Sequence, residues 1–244
     1  MTQITKAVNE PILSFAAGSP ERASLQTKYD EMATQTIEIP IIIDGKEIKT
    51  GDTGNCVMPH NHQHVLATYH KAGETEVIQA IDAAMKSWKT WSTTTLEERT
   101  KIFRKAAELL QGPWRDTINA ATMLNQSKNA FQAEVDAACE LIDFFNFNAQ
   151  YAEEITSKQP LISPEGMHNH LEYRPLEGFV FAITPFNFTS IAGNLPSAPV
   201  LMGNVALWKP ASSAVLPCYY IMKMLEEAGL PGGVINFIPG SGGT

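Results

Sequence analysis

Three short, continuously apolar segments in the last third of the chain constrain the fold most. They cover residues 178–183, 204–208 and 234–238, and each has the length and composition of a strand that is buried on both faces. A helix is predicted over residues 213–227, and residues 184–203 leave room for another. Strand–helix–strand units of this spacing favour right-handed crossovers in a parallel sheet. We therefore predict an α/β fold with a Rossmann-like, three-stranded parallel core and flanking helices.

The preceding part of the chain shows helical rather than strand periodicity. Helix-start signals or apolar residues at helical spacing predict five helices, which cover about residues 21–32, 74–91, 95–110, 113–126 and 130–155. The pair Asp44-Gly45 lies between two β-branched runs, which is typical of a tight hairpin over residues 39–48. We therefore predict that a mainly helical N-terminal region with one β-hairpin precedes the parallel sheet.

Composition and charge exclude several classes of partner. Acidic residues outnumber basic residues by 26 to 18, for a net charge of -8, so we predict no nucleic-acid binding, which requires a basic surface. The hydrophobic content of 44% is ordinary for a globular protein, so we predict no membrane partner either. The N-terminus lacks both a secretory signal and a transit peptide. This pattern indicates an intracellular protein of the cytoplasm or the mitochondrial matrix.

Polar residues follow the three predicted strands at the points where those strands end. These ends are residues 184–187, 209–210 and 239–243, and in open parallel sheets ligands bind outside the carboxyl ends. Asn187 is either the N-cap of the next helix or an amide that donates to a developing oxyanion. Lys209 is either a solvated surface lysine or a contact to ribose hydroxyls or a phosphate. The residues thus indicate a nucleotide-binding-like α/β domain without naming a reaction.

A histidine cluster raises the question of a metal site. His60, His62 and His64 alternate along the chain, so two of them share one side of an extended segment. A zinc site requires further ligands at suitable spacing, and no second ligand pair follows. We predict no metal.

Several motifs make the chain similar to a known family. They are the stretches at residues 176–189, 193–195, 198–199, 201–205 and 208–210, supported upstream by 9–11, 18–22 and 140–145. On these residues the chain, from about Lys6 onward, resembles the aldehyde dehydrogenase superfamily, and most closely its 1-pyrroline-5-carboxylate dehydrogenase branch. The resemblance implies NAD-dependent oxidation of a small-molecule aldehyde, L-glutamate γ-semialdehyde, to L-glutamate in proline catabolism. A cysteine attacks the aldehyde, hydride passes to NAD, and the resulting thioester is hydrolysed.

The same resemblance implies roles for five residues. Asn187 matches the asparagine that stabilises the oxyanion formed on the catalytic cysteine. Thr184 matches a contact to the nicotinamide half of NAD, and Lys209 matches the lysine that meets the adenosine ribose. Glu140 and Phe188 fall where this branch packs the semialdehyde. For Phe188, ordinary core packing is an equal alternative.

Four features depart from the family pattern. Ser212 stands where many members carry a glutamate, which leaves open how the ribose hydroxyls are held. Cys56, in a predicted loop, Cys139 and Cys218 do not follow a Gly-Gln pair as the nucleophile does, so we interpret all three as packing or surface thiols. The general base and the glycine-rich pyrophosphate turn are also missing. We therefore expect an N-terminal piece that lacks the catalytic domain and is inactive alone.

The resemblance also divides the chain into segments. We predict an N-terminal extension over 1–36, the hairpin and helical part of a cofactor domain over 37–160, an oligomerisation-arm segment over 161–175, and the βαβ part of the NAD-binding domain over 176–244. Family members form homo-oligomers through this arm, and its unpaired edge predicts poor solubility here. Three alternatives stay open: an aldehyde dehydrogenase for another aldehyde, a noncatalytic nucleotide-binding or interaction fragment, and a truncation without function.

Overall fold

The computed structural model describes residues 4–243 and contains two sheets with flanking helices. In chain order its elements are α1 (Pro20–Thr34), β1 (Ile37–Ile39), β2 (Ile41–Ile43), β3 (Lys46–Ile48), β4 (Thr53–Met58), β5 (Asn61–His70), α2 (Glu74–Trp91), α3 (Leu96–Gln111), α4 (Arg115–Gln126), α5 (Ala130–Ala133), a π-helical segment (Glu134–Cys139), α6 (Glu140–Ser157), β6 (Val180–Ile183), α7 (Thr189–Leu201), β7 (Ala206–Lys209), α8 (Val215–Glu227) and β8 (Ile235–Phe237). No helix in this described range is long and apolar enough to cross a membrane.

The larger sheet confirms the predicted α/β class and adds two strands to it. Its order is β3-β2-β8-β7-β6, and β6, β7 and β8 run parallel, with α7 and α8 as the crossovers. The hairpin β2–β3 joins this sheet antiparallel, where Ile42 lies opposite Phe237. Asp44 and Gly45 both have positive φ, at 53° and 70°, which the hairpin turn requires. The sheet is therefore mixed rather than purely parallel.

Strand β6 departs from the prediction that all three strands are buried on both faces. Phe181 is 52% exposed and Ile183 is 63% exposed, whereas β7 and β8 are almost fully buried. Helix α7 packs on β6 and β7, but on the other face α2 packs on β2, β7 and β8. Because β6 lies at the edge of the sheet, one face of it stays open.

The smaller sheet, with order β1-β5-β4, was missed by the sequence analysis. Strands β4 and β5 form an antiparallel hairpin with register shifts next to Val57, and β1 pairs parallel to β5. The prediction of a mainly helical region with one hairpin was therefore wrong over residues 53–70. Cys56, expected in a loop, lies in β4. Polar and exposed residues on these strands weaken the alternating pattern that identifies a strand.

The predicted helices are present, with one interruption. Ser19 caps α1, and the predicted capping box of Thr95 and Glu98 begins α3. The helix expected over residues 130–155 instead contains the π-helical segment Glu134–Cys139 between α5 and α6. A π-helical turn inserts a residue into the ladder of hydrogen bonds and often marks a functional site.

The segment predicted as an oligomerisation arm contains no strand within the described chain. Residues 161–174 are exposed and reverse direction at a turn, where the Met167 amide donates to the Pro164 carbonyl at 3.0 Å. The amide group of Gln159 bonds both the N–H and the carbonyl of Leu171, at 2.8 and 3.2 Å. The segment thus returns on itself through contacts between side chains and backbone.

Candidate cofactor and substrate site

The carboxyl ends of β6 and β7 are bonded to each other at the predicted crevice. The Thr184 amide donates to the Lys209 carbonyl at 3.1 Å. The hydroxyl oxygen of Thr184 also accepts a bond from the indole N–H of Trp208 at 3.1 Å. Thr184 is only 4% exposed, so its position is fixed by the sheet. The structure thus brings two of the predicted site residues together at one edge.

The Lys209 ammonium has no carboxylate partner within the described chain. Lys209 is partly buried at the end of β7, and its Nζ donates only to the neighbouring Pro210 carbonyl, at 3.4 Å. Ser212, where many family members carry glutamate, donates to the Gly240 carbonyl at 3.4 Å and so links the loops after β7 and β8. A partly buried cation without a counter-ion suits a ligand that is anionic or rich in hydroxyls.

Asn187 is exposed in the loop between β6 and α7. The N-cap position of α7 is taken by Phe188, which has extended backbone angles and makes no side-chain cap bond. The alternative that Asn187 caps this helix is therefore wrong. Among residues 4–243 no hydrogen-bond partner of the Asn187 amide is found, so the amide is free to meet a ligand.

The first turn of α7 is joined to the predicted substrate residue Glu140. The Ser190 hydroxyl donates to Oε2 of Glu140 at 2.7 Å, and Ser190 is fully buried. Lys128 lies with its Nζ 4.2 Å from the centre of the Phe188 ring. Glu140 therefore contacts the first turn of α7, and Phe188, 48 positions further along the sequence, stands directly before that turn.

A buried ion pair holds the π-helical segment that precedes Glu140. The guanidinium of Arg115 donates to both oxygens of Glu134, and Asn119 donates to Oε2 at 2.8 Å. The Leu13 amide donates to Oε1 of the same carboxylate at 3.0 Å. Burial by itself raises the pKa of Glu134, but the hydrogen bonds from Arg115 and Leu13 outweigh it and hold that pKa below its ordinary value.

The same network anchors the N-terminal segment across α6. Glu10 pairs with Arg115 at 2.6 Å, and its backbone amide donates to Asp143 at 2.7 Å. The Ala7 amide donates to Gln150 at 2.6 Å. Residues 7–13 thus lie on the helices without forming an element of their own, and they cover the carboxylate of Glu134.

The three cysteines are packing residues. Cys56, Cys139 and Cys218 are all buried. Burial raises the pKa of both Cys56 and Cys139 to about 12 and also raises the pKa of Cys218. A thiol with a raised pKa is a poor nucleophile, because the thiolate is the reactive form.

The histidine cluster lies at the β4–β5 turn and on β5. The His60 ring bonds the Ser127 hydroxyl at 2.7 Å, whereas His62 and His64 alternate along the strand. In the part of the chain that the structure describes, no three histidine, cysteine or acidic side chains gather in a way that could hold a metal ion.

The family model of the aldehyde dehydrogenase family matches residues 47–244. The chain belongs to this family. An aldehyde dehydrogenase relative from Agaricus bisporus, named delta-1-pyrroline-5-carboxylate dehydrogenase, is 49% identical over 98% of the chain. The mitochondrial enzyme of that name from Rattus norvegicus is 48% identical over 98%. The crystal structure of the Mycobacterium tuberculosis delta-pyrroline-5-carboxylate dehydrogenase bound with NAD superposes with a TM-score of 0.96, at 48% identity over 99% of the chain.

This aldehyde dehydrogenase chain spans less than half the length of the relatives it matches. It covers 44% of the Agaricus protein, 42% of the rat protein and 45% of the Mycobacterium structure. Sequence reasoning missed Lys128, Ser190 and the Arg115–Glu134 pair as parts of the site region. Only their three-dimensional contacts connect them to it, since neither spacing nor composition distinguishes them.

Proposed function

We propose that this chain supplies the cofactor-binding part of an NAD-dependent dehydrogenase that oxidises L-glutamate γ-semialdehyde to L-glutamate. The observation that carries the proposal is the sequence identity of 48–49% to delta-1-pyrroline-5-carboxylate dehydrogenases over almost the whole chain. The crevice supports it, because Thr184, Asn187 and Lys209 lie at the carboxyl ends of two adjacent parallel strands.

The residues at this crevice fit a dinucleotide. We propose that Lys209, whose ammonium lacks a carboxylate partner in the described chain, holds the adenosine ribose hydroxyls. Thr184 is proposed to meet the nicotinamide half, where its hydroxyl can still donate a hydrogen bond because only its oxygen is engaged, by Trp208. When bound, NAD accepts the hydride of the reaction.

The substrate side of the proposal concerns Asn187, Glu140 and Phe188. The free amide of Asn187 is proposed to donate to the oxyanion that forms when a thiolate attacks the aldehyde. Glu140 and Phe188 are proposed to pack the semialdehyde. The nucleophile is assigned to polypeptide outside this sequence, because all three cysteines here are buried with raised pKa values.

The proposal extends to assembly and location. The exposed segment 161–174 is proposed as an arm that pairs with a second copy, since it forms no strand within the described chain. The compartment is proposed to be the mitochondrial matrix or the cytoplasm.

The test joins this chain to the remaining part of the Mycobacterium tuberculosis relative and measures NADH formation. We expect activity with glutamate γ-semialdehyde above that with other aldehydes. Asn187→Ala is expected to lower kcat by about 10²–10³-fold, while Asn55→Ala, an exposed asparagine on β4, leaves it unchanged. A higher rate on another aldehyde would instead favour a different substrate, and a folded but inactive fusion that binds NAD would favour the noncatalytic alternative.

Cofactor binding is tested separately by calorimetric titration of NAD. Lys209→Met is expected to weaken binding by about tenfold or more, because a hydrogen bond from a charged donor is lost. Lys105→Met on the exposed face of α3 serves as the matched control. Unchanged affinity in Lys209→Met would refute the role given to Lys209.

A further inference from the structure

Three consecutive side chains at the start of α7 contact α4, α6 and the connection between α4 and α5. Phe188 meets Lys128, which lies between α4 and α5. Thr189 shares a hydrogen bond of 2.9 Å with Thr122 of α4. Ser190 donates to Glu140 of α6 at 2.7 Å. The turn directly after Asn187 is therefore held at three points, whereas Asn187 itself makes no bond in the described structure.

The contact of Phe188 is the nearest of the three to Asn187. The Lys128 Nζ lies 4.2 Å from the ring centre, within the range of a cation–π interaction. The same ammonium pairs with Asp136 of the π-helical segment, and the side chains of Lys128 and Asp136 are 14% and 20% exposed. Partial desolvation strengthens such a contact. The Asp136 carboxylate thus holds the Lys128 ammonium in place, and this ammonium in turn holds the Phe188 ring.

We propose that Lys128 is a positioning residue that holds the Phe188 ring and thereby the loop that carries Asn187. Phe188 has no other aromatic or charged contact in the described structure that could hold its ring. The backbone of Phe188 connects directly to Asn187, so a free ring removes the holding contact that is nearest to the amide. The π-helical segment takes part because it carries Asp136 on the side that faces Lys128.

The inference deepens the proposed function, since it concerns the asparagine proposed to meet the oxyanion. Its test uses the chain itself and needs no catalytic activity, so its result is independent of turnover. Amide hydrogen exchange is measured over residues 185–195 in Lys128→Met, Lys128→Arg and the matched control Lys105→Met. Ala192 is the reporter, because its N–H donates to the Phe188 carbonyl at 3.1 Å. Lys105 forms an exposed i,i+3 salt bridge with Glu108 on α3.

Lys128→Met is expected to raise exchange at Ala192 by about tenfold, while Lys105→Met changes nothing there. Lys128→Arg is expected to restore protection to within about twofold, because arginine also stacks on aromatic rings. By NMR, the ε-methylene protons of Lys128 are expected upfield through the ring current of Phe188, and this shift disappears in Phe188→Leu. Should Lys128→Met lose cooperative unfolding, the exchange of Phe188→Leu replaces it, with the same tenfold rise expected.

Three results overturn the proposal. They are unchanged exchange at Ala192 in Lys128→Met, an equal rise in Lys105→Met, and a failure of Lys128→Arg to restore protection. Failure of NAD binding or turnover with these exchange results intact would refute the proposed function and leave the role of Lys128 standing.

Discussion

The Ser190 hydroxyl donates to the Glu140 carboxylate at 2.7 Å and so joins the first turn of α7 to the start of α6. The two residues are 50 positions apart, and Ser190 is fully buried. The bond connects the helix after the Asn187 loop with the helix that carries the proposed substrate residue Glu140. The two proposed halves of the site therefore share one hydrogen bond.

Removing that hydroxyl is expected to destabilise the chain modestly. Ser190→Ala leaves Oε2 of Glu140 without its donor, and we expect a loss of about 1 kcal/mol in the free energy of unfolding. Urea titration followed by circular dichroism measures it. The control Ser157→Ala removes an exposed hydroxyl at the end of α6. An equal effect of both substitutions would contradict the importance given to the Ser190 bond.

Substitution of Glu134 is expected to lower the free energy of unfolding more than substitution of Ser190 does. Glu134→Ala leaves the guanidinium of Arg115 without its fully buried partner. We expect a loss of about 3 kcal/mol, the low end for a broken buried pair, because Arg115 keeps its contact with Glu10. Glu97→Ala, which breaks the exposed i,i+4 pair with Lys101, serves as the control, with no measurable change expected. Thermal and urea unfolding measure the loss in both variants. An equally small loss in Glu134→Ala would show that the buried pair does not stabilise the fold.

The lowered pKa of Glu134 predicts that the folded chain loses stability in acid. The folded-state pKa of Glu134 is lowered, so the unfolded chain binds this proton at a higher pH than the folded chain. The contribution is therefore complete above the unfolded pKa, about 4.3, and is lost as pH falls through the lower folded value. Urea unfolding between neutral pH and pH 3 measures the slope. Glu134→Gln is expected to flatten it, and an unchanged slope would assign the effect to other carboxyl groups.

The cysteines are expected to be unreactive in the folded chain. Burial raises the pKa of Cys56 and Cys139 to about 12 and also raises the pKa of Cys218. A thiol-specific disulfide reagent at mildly alkaline pH is expected to titrate none of the three before unfolding and all three in guanidinium. Rapid modification of a single thiol in the native protein would refute this packing role.

The open face of β6 predicts self-association. Phe181 and Ile183 are exposed on an edge strand, and such edges promote intermolecular pairing. Size-exclusion chromatography over a range of concentrations is expected to show association, and Phe181→Lys is expected to reduce it. Tyr151→Lys, on the exposed side of α6, is the control. A monodisperse monomer at all concentrations would contradict the expectation of poor solubility.

Local patterns in the sequence predicted much of the architecture. The three apolar runs became β6, β7 and β8, and the Asp44-Gly45 hairpin became β2–β3. The strand ends also predicted where Thr184 and Lys209 meet. These features succeed because periodicity, turn residues and strand direction depend on neighbours in the chain.

Other features depended on contacts between distant residues. The β4–β5 hairpin pairs with β1, the exposure of β6 follows from its edge position, and Phe188 rather than Asn187 occupies the N-cap of α7.

The sequence by itself thus determined the class of fold and which residues stand at the ends of its strands. Only the tertiary structure decided what holds those residues, namely Lys128 over Phe188, Ser190 on Glu140, and Arg115 on Glu134. The physical reason is that burial, ion pairing and side-chain hydrogen bonds arise when elements pack. Spacing along the chain does not specify the distances between such residues.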